Sequence, residues 1–509
     1  MTSFSKTAAA ELAGRDLPIS ADRVGTLHSH CYHALGGAEI AEANVDEWNR
    51  DNPSLALTPT KKQGRLDGEE SVDDEGAGTE KSGDDLLQHL NRLRGTMTPE
   101  RAWPPVVRQF AQRWTQYKDA HGLLDFTDLI DTCYRDIAVA PRQPAVIFVD
   151  EAQDLNKLQL SLVRKWGRHA EYFIAGLDDD QTVFSHCGAS PEALLDADIP
   201  DDHKIILKQS YRVPVAVHEI ATNLIKQVSR RQEKEYMPRP EPGAVHRLSC
   251  GTYKAPEYFV LNAAMKHLEQ GKSVMFLAAC SYMLKPIVTA LRTNAIPFHN
   301  PYRKSNGFWN PLKLGKRGST PSRILSLLVA HPDYGEDSRP WNHSDLSLWA
   351  EWLQSKGILR HGAKKQLLTF DPREEVTMER LDQVFETGAL ESLMVAYEAG
   401  SAALLDWWRA RVTADVHNRV QFPSAIATRH GAAALFETPK LVVGTIHSVK
   451  GGEADVVFLF PDVSPQGDAQ YARSGPPRDS VIRQFYVGVT RARETLYICE
   501  RASGMAVVI

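Results

Sequence analysis

Residues Val146–Asp154 read VIFVDEAQD. The apolar run Val146, Ile147, Phe148 and Val149 predicts a short strand buried on both faces, as in a parallel sheet covered by helices. Two adjacent carboxylates, Asp150 and Glu151, end the run, with Gln153 and Asp154 close behind. Open parallel sheets bind ligands at their carboxyl edge, so both acids fall where a ligand would sit. There Asp150 can hold Mg2+ on nucleotide phosphates, and Glu151 can orient or deprotonate a water. The competing reading is a strand followed by the acidic first turn of a helix, where carboxylates meet the positive end of the dipole.

The chain has 509 residues, 42% of them apolar, enough for several cores and three or four subdomains. Its net charge of -5 excludes a globally basic nucleic-acid binder, so any such site must be a local groove. Six scattered cysteines without a CxxC pair point to reduced thiols and away from a zinc ribbon. The sequence has no apolar run of membrane-spanning length and no signal peptide, so a soluble, cytoplasmic protein without membrane contact is expected.

The string DEAQD resembles the Walker-B motif of UvrD/Rep-type superfamily 1 helicases, and further motifs similar to theirs follow in order. Ser3-Phe4-Ser5, before a helix over Thr7 to Gly14, resembles motif Ia; carried over, Phe4 and Ser5 touch single-stranded DNA. Val24–Leu35, VGTLHSHCYHAL, resembles motif Ib, with Thr26, His28 and Ser29 in DNA-contacting places. The same segment holds His28, His30, Cys31 and His33, but spacings of one and two residues do not aim four ligands at one tetrahedral centre. A helix over Leu158–Trp166 and an apolar strand over Tyr172–Ala175 lead to GLDDDQTVFSHCGA, residues 176–189, which resembles motif III. Gln181 matches its γ-phosphate contact and Phe184 its base-stacking aromatic. His186 stands at a DNA-contacting place where Trp or Phe is usual, and Cys187 where Arg is usual.

Ile205–Pro214, IILKQSYRVP, resembles motif IV and makes Arg212 an arginine that reaches the γ-phosphate. Leu441–Phe460, LVVGTIHSVKGGEADVVFLF, resembles motif V: Thr445 and His447 take DNA-contacting places, Glu453 the ribose contact, and Gly452 replaces a more usual Leu. Gln484–Cys499 resembles motif VI, with Arg491 as a second arginine finger. Such fingers neutralise charge developing on the transferring phosphoryl group.

The resemblance implies an α/β fold with two RecA-like parallel-sheet motor domains and helical insertions. The expected division is 1–35 with 120–205 for the first motor domain and 206–305 with 437–509 for the second. A helical insertion over 36–119 carries an acidic loop at 61–85. A second insertion spans 306–436, where Trp341, Trp349, Trp352, Trp407 and Trp408 read as core and not as base-stacking platforms. Strand, helix and strand are expected over 271–299, the last strand being Ile296–His299. By the resemblance, ATP and Mg2+ occupy the cleft, with Asp150, Glu151, Gln181, Arg212 and Arg491 as the catalytic set. Single-stranded DNA, or DNA with a single-stranded tail, crosses both domains. The implied activity is an ATP-dependent helicase moving 3′ to 5′, of the kind used in DNA repair and replication.

One motif is missing. No GxxxxGKS or GxxxxGKT string occurs. Gly271-Lys272-Ser273 does not qualify: position 266 is Lys, not Gly, and a strand rather than a helix follows, so Gly271 reads as a helix C-cap. In this family the phosphate-cradling loop lies just upstream of motif Ia. The sequence therefore leads to a helicase whose P-loop segment is lost or supplied by a separate chain, with a non-catalytic single-stranded-DNA-binding relic or an interaction scaffold as alternatives.

Overall fold

The computed structural model describes residues 2–3, 20–60, 82–184, 188–189, 199–256, 259–303, 307–314 and 318–509. The expected helix over Thr7 to Gly14, residues Phe4, Ser5, His186 and Cys187, and the acidic loop through residue 81 lie outside the described set. The last residues of that loop are helical, because Ser82–Gly95 forms a helix.

The fold is α/β, built on two parallel sheets and many helices, consistent with a RecA-like arrangement. The strands are β1 (Thr2–Ser3), β2 (Gly25–Thr26), β3 (Val146–Asp150), β4 (Tyr172–Ala175), β5 (Gln209–Pro214), β6 (Met237–Arg239), β7 (Ala244–Arg247), β8 (Val274–Ala278), β9 (Leu441–Thr445), β10 (Ala454–Leu459) and β11 (Ala492–Ile498). The first sheet runs β2-β1-β3-β4 and the second β7-β11-β10-β8-β9, while β5 and β6 pair with each other. Every pairing is parallel, so chain connections cross over and the loops at the strand ends gather on shared edges.

In the second sheet all five residues of β8 are buried. β3 of the first sheet, expected to be buried on both faces, is not. Ile147 and Val149 pack with Leu158, Leu162 and Val163 of the helix Lys157–Gly167, but Val146 is 47% and Phe148 37% exposed. Burial on both faces is therefore corrected to burial on one. The reason is positional: β4 is an edge strand, exposed at all four of its residues, and among the described residues nothing covers that side of β3. Ile296–His299 is also not a strand; only His299 bridges to Val442.

Local sequence explains the helices that carry the site. Asn156 and Gln159 close a reciprocal capping box at the start of Lys157–Gly167, and Asp125 with Asp128 does the same for Phe126–Asp136. Gly271 adopts φ +79° after the helix Phe259–Glu269, the left-handed stop expected of a C-cap. Trp48, Phe110 and Trp114 form one aromatic cluster. Within residues 306–436, Trp341, Trp349, Trp407 and Trp408 are buried as core, and Trp352 stacks on Trp408. Among the described residues no helix is long and apolar enough to cross a membrane.

Candidate functional site

The site is built where β3 and β4 end. Glu151 follows β3 with φ 53°, a left-handed conformation that non-glycine residues rarely adopt and that tends to cluster at functional positions. A tight turn, Ala152–Asp154, comes next. The turn is tied to the loop after β4: Ala152 N–H donates to Gly176 O at 3.0 Å, and Asp178 N–H to Gln153 Oε1 at 3.0 Å. Gln153 Nε2 also donates to the Glu151 carboxylate. A side chain at Gly176 would begin 3.7 Å from Asp150 Oδ1, in ordinary contact with it, so this glycine lies directly beside the carboxylate. Gln181 is held by Asp178, to whose Oδ2 its Nε2 donates at 2.7 Å.

The second sheet and the β5–β6 pair supply cations to the same place. Arg491, just before β11, is buried; its Nη2 donates to Gln181 Oε1 at 3.2 Å and its Nη1 to Gly452 O at 3.1 Å. Arg212 on β5 pairs through Nε with Glu453 Oε2 at 2.7 Å, and Arg493 holds the other oxygen at 3.1 Å. Burial opposes ionisation of Glu453, but the hydrogen bond and charge of Arg212, with Arg493 and Arg491 behind it, outweigh burial and hold the carboxyl below its usual range. Burial, and then repulsion from Arg212, pull the Arg491 guanidinium down to about 10. The structure thus brings Glu151, Gln181, Arg212, Glu453 and Arg491 to one cleft, with Asp150 beside it.

Two residues outside the sequence-based set also belong here. Lys450 is half-buried with its side chain only 8% exposed, although a lone lysine in such a loop reads as surface. Its Nζ pairs with Asp154 and, at 3.2 Å, with Glu151, donates to Gln181 O at 2.9 Å, and lies 5.7 Å from the Phe184 ring centre. One cation faces three carboxyls, so burial and the charges of Glu151 and Asp150 prevail over Lys450 and raise Asp154 to about 7. Tyr211 is 87% exposed and lines, with Gln209, Ser210, Arg212, Tyr236 and Glu453, a cavity of about 330 Å³. An exposed ring beside phosphate-binding chemistry can stack a base; its adjacency to Arg212 was the available signal.

The residues read as DNA contacts are placed unevenly. Phe184 and His447 are half-buried and face each other, ring centres 6.2 Å apart, with His447 also bonded to Val183 O and Gln484. Ser29 is half-buried; Thr26 is buried and accepts from Ser29 N–H as a helix cap. His28 is buried edge-on to Phe126, and Thr445 is fully buried, its Oγ1 accepting from Ser448 N–H. The acidic triplet Asp178, Asp179 and Asp180 is matched by Lys234 and Arg231, a charge-paired tether from the loop of the first sheet to residues 231–234.

Comparisons with known proteins bear on the family. Residues 1–200 match the UvrD/REP helicase N-terminal domain, and residues 440–499 the UvrD-like helicase C-terminal domain. These matches place the chain among the UvrD-like superfamily 1 helicases. Relatives include the ATP-dependent DNA helicase PcrA of Staphylococcus aureus, 31% identical over 168 residues, and that of Staphylococcus epidermidis, 29% identical. In both, the matched stretch is 30% of this chain and 23% of the relative's length.

Proposed function

We propose that this UvrD-like chain is an ATP-dependent motor that moves 3′ to 5′ on single-stranded DNA. The observation that carries the reading is the Gln181–Arg491 hydrogen bond at 3.2 Å, which joins the two sheets beside Glu151. The residues fit a nucleotide. Arg491 is buried near a second cation that disfavours its charge, and phosphate oxygens would relieve that repulsion. Asp150, at the carboxyl end of β3 next to Glu151, would hold Mg2+, which neutralises phosphate charge when bound. Glu151 would accept the proton of the attacking water, Gln181 would report the γ-phosphate across the cleft, and Arg212 and Arg491 would meet charge developing on the phosphoryl group. Phe184 and His447 would meet bases, Glu453 the ribose.

No residue among the 509 supplies a GxxxxGKS or GxxxxGKT loop. In the proposed enzyme this cradle comes from a further segment, in cis or as a separate chain, seated against the exposed edge of β4. The deciding experiment is ATP hydrolysis with poly-dT, by the 509-residue chain alone and with that segment. DNA-stimulated turnover that Glu151→Gln abolishes while ATP binding persists is expected once the cradle is present. Absence of hydrolysis with the segment in place would favour a non-catalytic DNA-binding relic or scaffold.

A further inference from the structure

We propose that Tyr302 is a positioning residue of this cleft, and that Gly452 is a glycine in order to admit its ring. The proposal rests on the nucleotide-site reading above and adds to it a residue that no motif contains. Gly452 stands where the family more often has a larger residue. Its neighbour Gly451 has φ +87°, but Gly452 is not in the left-handed region, so backbone freedom does not explain it. Space does: a Cβ on Gly452 would lie 2.9 Å from Tyr302 Cε2 and closer still to its Oη and Cζ. Real Cβ atoms essentially never approach that near, so any side chain at 452 would force the Tyr302 ring to shift.

Tyr302 is fixed from below. Asn300 is fully buried and donates from Nδ2 to Val443 O at 3.0 Å and to Ser448 Oγ at 3.4 Å. Its Oδ1 accepts from Tyr302 N–H at 3.1 Å. His299 exchanges backbone hydrogen bonds with Leu441 and Val443, at 3.0 Å each. The segment 299–302 is thereby fastened to β9 and to the turn after it, and the Tyr302 ring packs against the core on that side.

What the ring touches is the turn that carries the site. Lys450 reaches Glu151 from one end of that turn, and Glu453 meets Arg212 at the other. Between them, Gly452 O accepts from Arg491 Nη1 at 3.1 Å. The position of that carbonyl sets the position of the buried guanidinium, and the ring of Tyr302 sets the position of the carbonyl. Tyr302 acts through Gly452 on Arg491 rather than on substrate.

The test compares Tyr302→Ala, Tyr302→Phe, Gly452→Ala and the double variant Tyr302→Ala/Gly452→Ala. In hydrolysis assays with DNA and the phosphate-cradling segment, Tyr302→Ala and Gly452→Ala should each lose tenfold or more in kcat, with KM for ATP moving less than threefold, because misplacement by about 1 Å can cost roughly 100-fold. Tyr302→Phe, which keeps the ring, should recover most of the loss, and the double variant should exceed Gly452→Ala, since the clash is gone. Wild-type kcat in Tyr302→Ala, or a double variant as poor as the product of the singles, overturns the proposal. Absence of hydrolysis in the wild type defeats the functional reading alone. The Tyr302 proposal is then decided by the Arg491 Nε–H resonance of the 15N-labelled full chain, assigned with Arg491→Lys. Tyr302→Ala and Gly452→Ala should each shift that resonance and Tyr302→Phe, which keeps the ring, should leave it near wild type; an unmoved resonance in Tyr302→Ala overturns the proposal.

Discussion

Replacing Lys450 by Met would leave the stem in place and remove the charge that joins the two sheets. The lysine side chain is 8% and the Asp154 side chain 3% exposed, so the pair is inside the protein. Breaking a buried ion pair by deleting one partner commonly costs about 3–5 kcal/mol. Here the loss has an escape route, because Asp154 already sits at about 7 and can take up a proton instead of remaining charged. The sign follows from that raised value. A carboxyl raised by folding stabilises the fold fully below the ordinary carboxylate range, and its contribution declines as pH rises toward 7. Without Lys450 the decline continues above 7, at about 1.4 kcal/mol per pH unit. The lost hydrogen bond to Gln181 O contributes roughly 1–2 kcal/mol at any pH. Relative to wild type, Lys450→Met should therefore lose about 1–2 kcal/mol at pH 6 and about 3 kcal/mol at pH 8. Denaturant unfolding at both pH values measures the difference, and adding Asp154→Asn should erase the pH-dependent part. An equal loss at pH 6 and pH 8, or a pH dependence surviving in the double variant, would refute the reasoning.

Phe184→Ala should weaken binding to poly-dT by about 1–3 kcal/mol, the worth of one stacked base, read by fluorescence anisotropy. Binding of the wild type should fall as salt rises, through phosphate contacts; salt-independent affinity would count against a DNA groove. Glu42 is buried, its Oε2 has no hydrogen-bond partner among the described residues, and burial followed by the charge of Asp125 raises its carboxyl to about 8. Such a group weakens the fold as pH climbs from the carboxylate range to about 8, so Glu42→Gln should gain stability relative to wild type at pH 8 and not at pH 5, measured by thermal melts.

The parallel sheets and the polar ends of their strands were legible because short apolar runs followed at once by acids or hydroxyls have few other solutions. Periodicity could not tell what covers a strand: Ile147 and Val149 found a helix to pack on, whereas Val146 and Phe148 on the same strand did not. Gly452 was legible as a departure, but its cause, Tyr302, lies 150 positions away and meets it only through the fold. Lys450 was invisible for the opposite reason. Its neighbours Val449, Gly451 and Gly452 show no pattern that marks a covered lysine, and its side chain is covered because Glu151, Asp154 and Gln181 arrive from the other sheet.

Lys450 also bears on how the proposed motor would couple its two substrates. Lys450 Nζ and Gln153 Nε2 both meet Glu151 Oε2, so the ammonium competes with an incoming water for that carboxylate oxygen. The same Nζ lies 5.7 Å from the centre of the Phe184 ring, near its face. A base stacked on Phe184 would compete for that ring and change the balance that keeps Lys450 on Glu151. DNA would then stimulate hydrolysis by freeing a base rather than by building one. Lys450→Met separates this from a purely structural role. With the charge gone, hydrolysis without DNA should rise and the stimulation by DNA should shrink, whereas a lysine that only braces the two sheets would lower both rates together.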